Sequence, residues 1–128
     1  MKELPADLTG RFEILVETKH TADALGNVGM KVFATPFVVW VIEAAAYEAV
    51  ADYMEAGEGV AGTHIDLRHL APTAVGRRVL AEARLVERKG RRLTFQATVS
   101  SGGQVVAEGS YTSVVVDPAQ IIATAATS

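Results

Sequence analysis

The chain has 128 residues, of which 49% are apolar, 21% charged and 6% aromatic, with a formal net charge of −3 and no cysteine. That length supports one domain able to bury about two-thirds of its unfolded surface, and high apolar content with low net charge excludes disorder. Lack of cysteine removes disulfides, thiolate metal sites and cysteine nucleophiles together, while a weakly acidic balance offers no basic face to draw nucleic acid.

The opening residues 1–7 lack the apolar run of a signal peptide, so the expected setting is cytoplasmic. Residues 11–18 mix alternation with β-branched content and predict the first strand. Residues 20–30, which contain Asp23, Gly26, Asn27 and Gly29, read as a loop. Thr35-Pro36 marks a helix start, a hydroxyl able to cap orphan amides followed by a proline whose φ suits the first helical position. The helix is expected to run to about Met54, with Gly57 and Gly59 at its end. Residues 32–50 have the length of a membrane span. Pro36, a mid-segment carboxylate costing about 2.5–3.5 kcal/mol in lipid, and a strand-rich remainder predict no membrane insertion.

Between Phe37 and Tyr47 every residue except Glu43 is apolar, which predicts a helix enclosed on nearly all sides. The period then changes to two. Thr63, Ile65, Leu67, His69 and Ala71 alternate with His64, Asp66, Arg68 and Leu70; Val79, Ala81, Ala83 and Leu85 follow; Leu93, Phe95, Ala97 and Val99 form the clearest strand. Arg88-Lys89-Gly90-Arg91 and Ser101-Gly102-Gly103-Gln104 read as hairpin turns, and residues 105–116 as the last strand. The tail, residues 119–128, is weakly patterned and expected to fray. The order predicts one α+β domain over residues 1–128, its core within 11–116: an antiparallel five-stranded sheet curled around one long helix. A helix that apolar exceeds what one sheet can cover, so a homodimer is expected.

Chemistry is sparse, which sharpens the candidates. Gly57-Glu58-Gly59-Val60-Ala61-Gly62 matches the dinucleotide fingerprint by letter, but it follows a helix and leads into a strand, the reverse of the order that brings phosphate to helix amides. Gly57 and Gly59 read instead as cap and turn. No serine stands in a nucleophile elbow. His64 and His69 lie on opposite faces of a strand, so no metal is expected.

Glu43, alone among Val39, Trp40, Val41, Ile42, Ala44, Ala45, Ala46 and Tyr47, has two readings. Its head escapes at a subunit seam or bonds to Trp40 or Tyr47, or it serves as general base or nucleophile in an apolar cleft. His69, in phase with Ile65, Leu67 and Ala71, is either a satisfied core imidazole or the polar companion of Glu43. Thr35 either caps the helix or holds a carbonyl oxygen that gains charge beside the helix amides. A regular helix separates Thr35 and Glu43 by roughly 12 Å. Contact between them then requires a fold-back, a spanning substrate or a second subunit. Arg88, Lys89, Arg91 and Arg92 make a basic hairpin tip that is either a solvated turn or a phosphate contact.

The run from Val32-Phe33-Ala34-Thr35-Pro36 to Ile42-Glu43, the segment from Gly57 to Thr63 and Arg68-His69-Leu70-Ala71 together resemble the fluoroacetyl-CoA thioesterase-like branch of the hotdog-fold acyl-CoA thioesterases. The likeness extends over residues 11–116. It implies a hotdog fold, hydrolysis of an acyl-CoA thioester, and a homodimer or larger assembly with the substrate in a cleft between subunits. No cofactor is implied beyond the coenzyme A of the substrate. The catalytic threonine, glutamate and histidine fall on Thr35, Glu43 and His69. The family's substrate-approaching glycine falls on Gly62. Beside it, Phe33 is a substrate-side candidate, and Arg91 and Arg92 of the basic hairpin tip are the candidates for coenzyme contact. Three positions depart from the family pattern: Gly29 stands in place of an aromatic lid residue and Ser113 in place of an arginine of the fluoroacetyl-specific enzyme, and Pro36 in place of a small flexible residue after the threonine. A non-catalytic thioester-binding module and an enoyl-thioester hydratase are the alternative activities of such a domain.

Overall fold

Period-two alternation turns one row of side chains inward on each strand. Val79, Ala81, Ala83 and Leu85 on one strand and Leu93, Phe95, Ala97 and Val99 on the next are all buried in a single cluster. A computed structural model describes residues 1–127. Five strands, β1 (Thr9–Leu15), β2 (Gly59–His69), β3 (Arg78–Lys89), β4 (Arg92–Ser101) and β5 (Gln104–Val116), join in the spatial order β1-β3-β4-β5-β2. Every pairing is antiparallel. The long helix α1 (Thr35–Val50) lies in the hollow of the sheet, and a short α2 (Pro118–Ala126) closes the described chain. The Ser101–Gln104 pair closes around Gly102 at φ 57° and Gly103 at φ 80°, the two positive angles that a type I′ hairpin turn requires.

Helix α1 packs through Val38, Val41, Ile42, Ala45, Ala46 and Ala49. Its small residues let it press close to β1. A β-carbon on Gly10 would collide with the backbone carbonyl of Ala45 and the amide of Ala49, so glycine is required for that approach. Glu48 on α1 also accepts the backbone N–H of Arg11 at 2.8 Å. The β1 edge is thereby covered by the helix. The opposite edge is not: residues 62–66 of β2 are all exposed.

Several expectations change at the element ends. The first strand spans Thr9–Leu15, two or three residues earlier than the 11–18 read from its pattern. The helix cap is Ala34, not Thr35. The carbonyl of Ala34 accepts from the Phe37 and Val38 amides at 3.0 and 3.1 Å, and the Thr35 hydroxyl is spent on a tertiary partner. Beyond Val50 the helix tightens into a 3-10 turn, Ala51–Tyr53. The tail expected to fray is helical, because Asp117 accepts the Ala119 amide at 3.0 Å and Pro118 supplies a favourable first turn. Residue 128 lies outside the described residues.

Nor is α1 enclosed all round within one chain. Trp40 and Tyr47 are 40% and 50% exposed, and Glu43 between them is exposed too. One curled sheet covers one side of a helix. Trp40 nonetheless sits in an aromatic group, edge-on to Phe12 at 5.4 Å and stacked on His20 at 6.1 Å.

Candidate active site

Helix α1 begins where β2 ends, so the first helical residue and the last strand residue meet. Thr35 Oγ1 lies 2.8 Å from His69 Nδ1. Burial disfavours the imidazolium and lowers the His69 pKa from its ordinary 6.5, with the backbone at Ala71 acting in the opposite direction. The ring is therefore held neutral near pH 7. Its other nitrogen, Nε2, is buried without a hydrogen-bond partner among the described residues. An orphaned buried nitrogen costs about 1–3 kcal/mol, so the site is built to receive one more polar group.

Beside this pair is a cavity of about 270 Å³ whose wall includes Ala22, Met30, Val32, Phe33, Leu70, Ala71 and Pro72 as well as Thr35 and His69. The lining is apolar apart from the hydroxyl, the imidazole and Asn27. Phe33, 1% exposed, forms a fixed part of it. Such a chamber takes a small uncharged group with one polar atom directed at the threonine and histidine.

Glu43 belongs to a second group. Two helical turns further along α1, its Oε2 accepts from the hydroxyl of Tyr111 on β5 at 3.1 Å. The space that permits this is the missing side chain of Gly62 on β2. A β-carbon there would stand 2.7 Å from Glu43 Oε2 and 2.8 Å from Tyr111 Oη. Burial first, and then the Glu43 charge and its hydrogen bond, push the Tyr111 ionisation far above its usual value, so its hydroxyl stays a donor.

The sequence candidates therefore sort into two places. Thr35, His69 and Phe33 come together at one end of β2, and Glu43 and Gly62 at the other. Seven steps along the strand separate Gly62 from His69, about 23 Å. No bond joins Glu43 to His69 within one chain among the described residues. The enclosure expected for Glu43 is also not met in one chain, where the carboxylate stands on the uncovered side of α1. Arg91 and Arg92 are exposed on the β3–β4 hairpin at the Gly59 end of β2, where Arg91 Nη2 lies 3.8 Å from Glu58 Oε2. Ser113 is 2% exposed and directly opposite Gly62 in the β2–β5 register. Gly29 is an open loop position at φ 89°.

Tyr111 was not singled out by its sequence context. Its signal was available: it is in phase with Ser113 and Val115 on a strand whose inward row is buried, and a buried tyrosine hydroxyl needs a partner. His20 is structural, its Nδ1 accepting the Glu17 amide at 3.0 Å. A larger groove of about 640 Å³ crosses the outer face of the sheet, and two of its three arginines have surface partners, Arg11 with Glu82 and Arg84 with Asp7. Nothing buried converges there. The Gly57 to Gly62 run follows a helix and enters β2 as expected, but its glycines serve differently: the helix and its 3-10 turn end by Tyr53, so Gly57 is not the cap and stands at φ 80° in the following turn, and Gly59 is the first residue of β2 rather than part of a turn.

A helix cradled by a curled antiparallel sheet, with its N-terminus and an edge strand framing a small chamber, defines the hotdog class. A hot-dog-like protein from Thermanaerovibrio acidaminovorans shares this fold, with a TM-score of 0.85 over 95% of this chain and 90% of that one at 18% identity. The solved fluoroacetyl-CoA thioesterase FlK agrees more closely, with a TM-score of 0.92 over 98% of each chain at 27% identity. A fluoroacetyl-CoA thioesterase from Streptantibioticus cattleyicolor is 38% identical over 81 residues, a match spanning 63% of this chain and 58% of the relative. The family model for fluoroacetyl-CoA-specific thioesterases matches residues 16–119. The chain belongs to that family.

Proposed function

We propose that this protein hydrolyses a short acyl thioester of coenzyme A, working as a cytoplasmic homodimer. The observation that carries the reading is the Thr35–His69 pair, bonded at 2.8 Å, with a buried and unpartnered Nε2 beside a cavity of about 270 Å³. That volume is just below the roughly 300–1,000 Å³ of drug-sized ligand sites, which suits a short acyl group. Gly29 and Ser113 stand where the fluoroacetyl-specific pattern has its aromatic lid and arginine, which favours an unfluorinated acyl group.

The second subunit follows from β2. Its edge is long and uncovered, a surface that folded chains ordinarily pair or protect. Two copies pairing antiparallel about His64 would bring the 59–62 end of one strand beside the 66–69 end of the other. The partner's Glu43 then approaches Thr35 and His69, and the intrachain gap is resolved by symmetry. The partner's Arg91 and Arg92 arrive at the same mouth, suited to the coenzyme phosphates. Among the described residues no helix is long and apolar enough to cross a membrane.

In this arrangement Glu43 takes a proton from water, and the water oxygen attacks the thioester carbonyl carbon. The Thr35 hydroxyl and the positive end of α1 hold the developing oxyanion. Neutral His69 bonds the carboxylate or the reacting water. Collapse breaks the carbon–sulfur bond, and the thiolate of coenzyme A takes up the proton, leaving a carboxylic acid. No metal or redox group enters that balance.

Two experiments test the reading. Across a panel of short acyl-CoAs, free thiol should appear. Binding without thiol release identifies a binding module, and a change in enoyl absorbance alone identifies a hydratase. In addition, Glu43→Gln and His69→Gln should each lower turnover at least about 100-fold. Unfolding and refolding them together should restore about a quarter of wild-type activity, because half the pairs are mixed and each mixed pair carries one intact site. No restoration on mixing would place each site within one chain and overturn the composite arrangement.

A further inference from the structure

An exposed glutamate makes a poor catalyst unless something fixes it. Glu43 stands on the side of α1 that the sheet leaves open, where a side chain with three rotatable bonds samples several rotamers and each productive encounter must first select one. Among the described residues one group is hydrogen-bonded to it, the Tyr111 hydroxyl at 3.1 Å.

That group is itself rigidly held. Tyr111 is 5% exposed. It pairs with Phe95 across the β4–β5 register, and the two rings stack with centroids 6.2 Å apart and planes 29° apart. On its other side it is opposite Ile65 in the β2–β5 register. Its hydroxyl reaches the Gly62 position diagonally, where β2 slips register between Gly62 and His64. The bulge and the glycine together open a slot between β2 and α1 just wide enough for one carboxylate oxygen and one phenolic oxygen. Three elements, α1, β2 and β5, converge on one hydrogen bond.

Resting on the reading of Glu43 as the base, we propose that Tyr111 is a positioning residue that locks the Glu43 carboxylate through one oxygen and so presents the other to the reacting water. A phenol suits this task because it offers one proton and its ring is held by the stack on Phe95. Among the described residues the second carboxylate oxygen makes no hydrogen bond, which leaves it able to accept a proton from water. The proton taken from water goes to that oxygen, and the Tyr111 proton stays on Tyr111. Gly62 acts in the same interlock by leaving room for both oxygens.

Tyr111→Phe tests this without emptying the core, since the ring and its stack on Phe95 are retained. In the full-length protein with the best thioester from the panel, kcat should fall roughly tenfold with KM within about twofold, the pattern of lost alignment rather than lost substrate contact. Adding Tyr111→Phe to Glu43→Gln should cause no further loss, because Tyr111 acts only through that carboxylate. If Glu43→Gln is inactive but Tyr111→Phe keeps wild-type kcat, Tyr111 has no positioning role and the reading of Glu43 as base stands. If Glu43→Gln keeps full activity, Glu43 is not the base and the role of Tyr111 falls with it, while hydrolysis itself stands. Thermal midpoints of all variants separate misfolding from lost alignment, and Tyr111→His, which keeps a ring and a donor, should recover part of kcat in a variant that folds.

Discussion

Replacing Gly62 by alanine adds one methyl group at the point where α1, β2 and β5 meet. Its β-carbon would lie 2.7 Å from Glu43 Oε2 and 2.8 Å from Tyr111 Oη, against ordinary contacts that begin at 3.4 Å. The carboxylate must then retreat by about 0.7 Å, because the tyrosine is held by its stacked ring and the glutamate is the more mobile partner. The backbone itself has no objection: Gly62 is not among the positive-φ glycines, and alanine in a strand interior gains about 0.5–1 kcal/mol over glycine. Retreat of the carboxylate leaves the contacts with Tyr111 Oη at 2.8 Å and Cε1 at 3.2 Å, which meet a ring that yields little, so the expected variant folds but loses about 1–3 kcal/mol, with kcat reduced about 10–100-fold, since misplacing a reacting group by near 1 Å costs on that scale. Thioester hydrolysis followed by thiol release gives kcat and KM, and a urea midpoint gives stability. A kcat within about a factor of three of the parent would refute the claim that this slot aligns the carboxylate, while a selective rise in KM would show that Gly62 serves substrate approach instead.

Gly10→Ala makes a different prediction. The new methyl group meets the α1 backbone at Ala45 and Ala49 rather than a flexible tip, so stability should fall by about 3 kcal/mol or more, read from urea unfolding, with any folded fraction retaining normal kcat. The depressed pKa of His69 carries its own signature. Folded protein binds fewer protons than the unfolded chain below the ordinary value of 6.5, so stability from this group is complete above pH 6.5 and lost as pH falls through 6.5 towards the folded value. Urea midpoints between pH 7.5 and 5 should therefore drop more steeply for the wild type than for His69→Gln, and parallel curves would show that the imidazole is not held neutral by burial.

Strand phase was legible because alternation and burial report the same geometry. Val79 to Leu85 and Leu93 to Val99 are inward where the pattern puts them, and both hairpin turns close on the glycines that the sequence offers. What was illegible depended on partners distant in sequence. Thr35 looked like a cap because a hydroxyl before Pro36 usually is one, and only the arrival of His69 from β2 redirects it. Glu43 looked enclosed because its neighbours are apolar, but the width of one sheet decides which side of a helix is covered. Asp117-Pro118 carried a helix-start signal that was read as the end of a strand, since the alanines and threonines beyond it show little apolar pattern. Tyr111 escaped because its link to Glu43 depends on a one-residue bulge beside Gly62, and no local rule reveals that register. Of the proposed catalytic residues, their identities were in the sequence; their division between two ends of one strand was not.

The single tryptophan of the chain gives the open side of α1 its own optical label. Trp40 stacks on His20 and is partly wet in an isolated subunit. Covering it would dry the indole and shift its emission towards the blue. If the proposed homodimer covers this side of α1, fluorescence recorded over a dilution series will track subunit separation without any dye, in the same samples used to follow turnover.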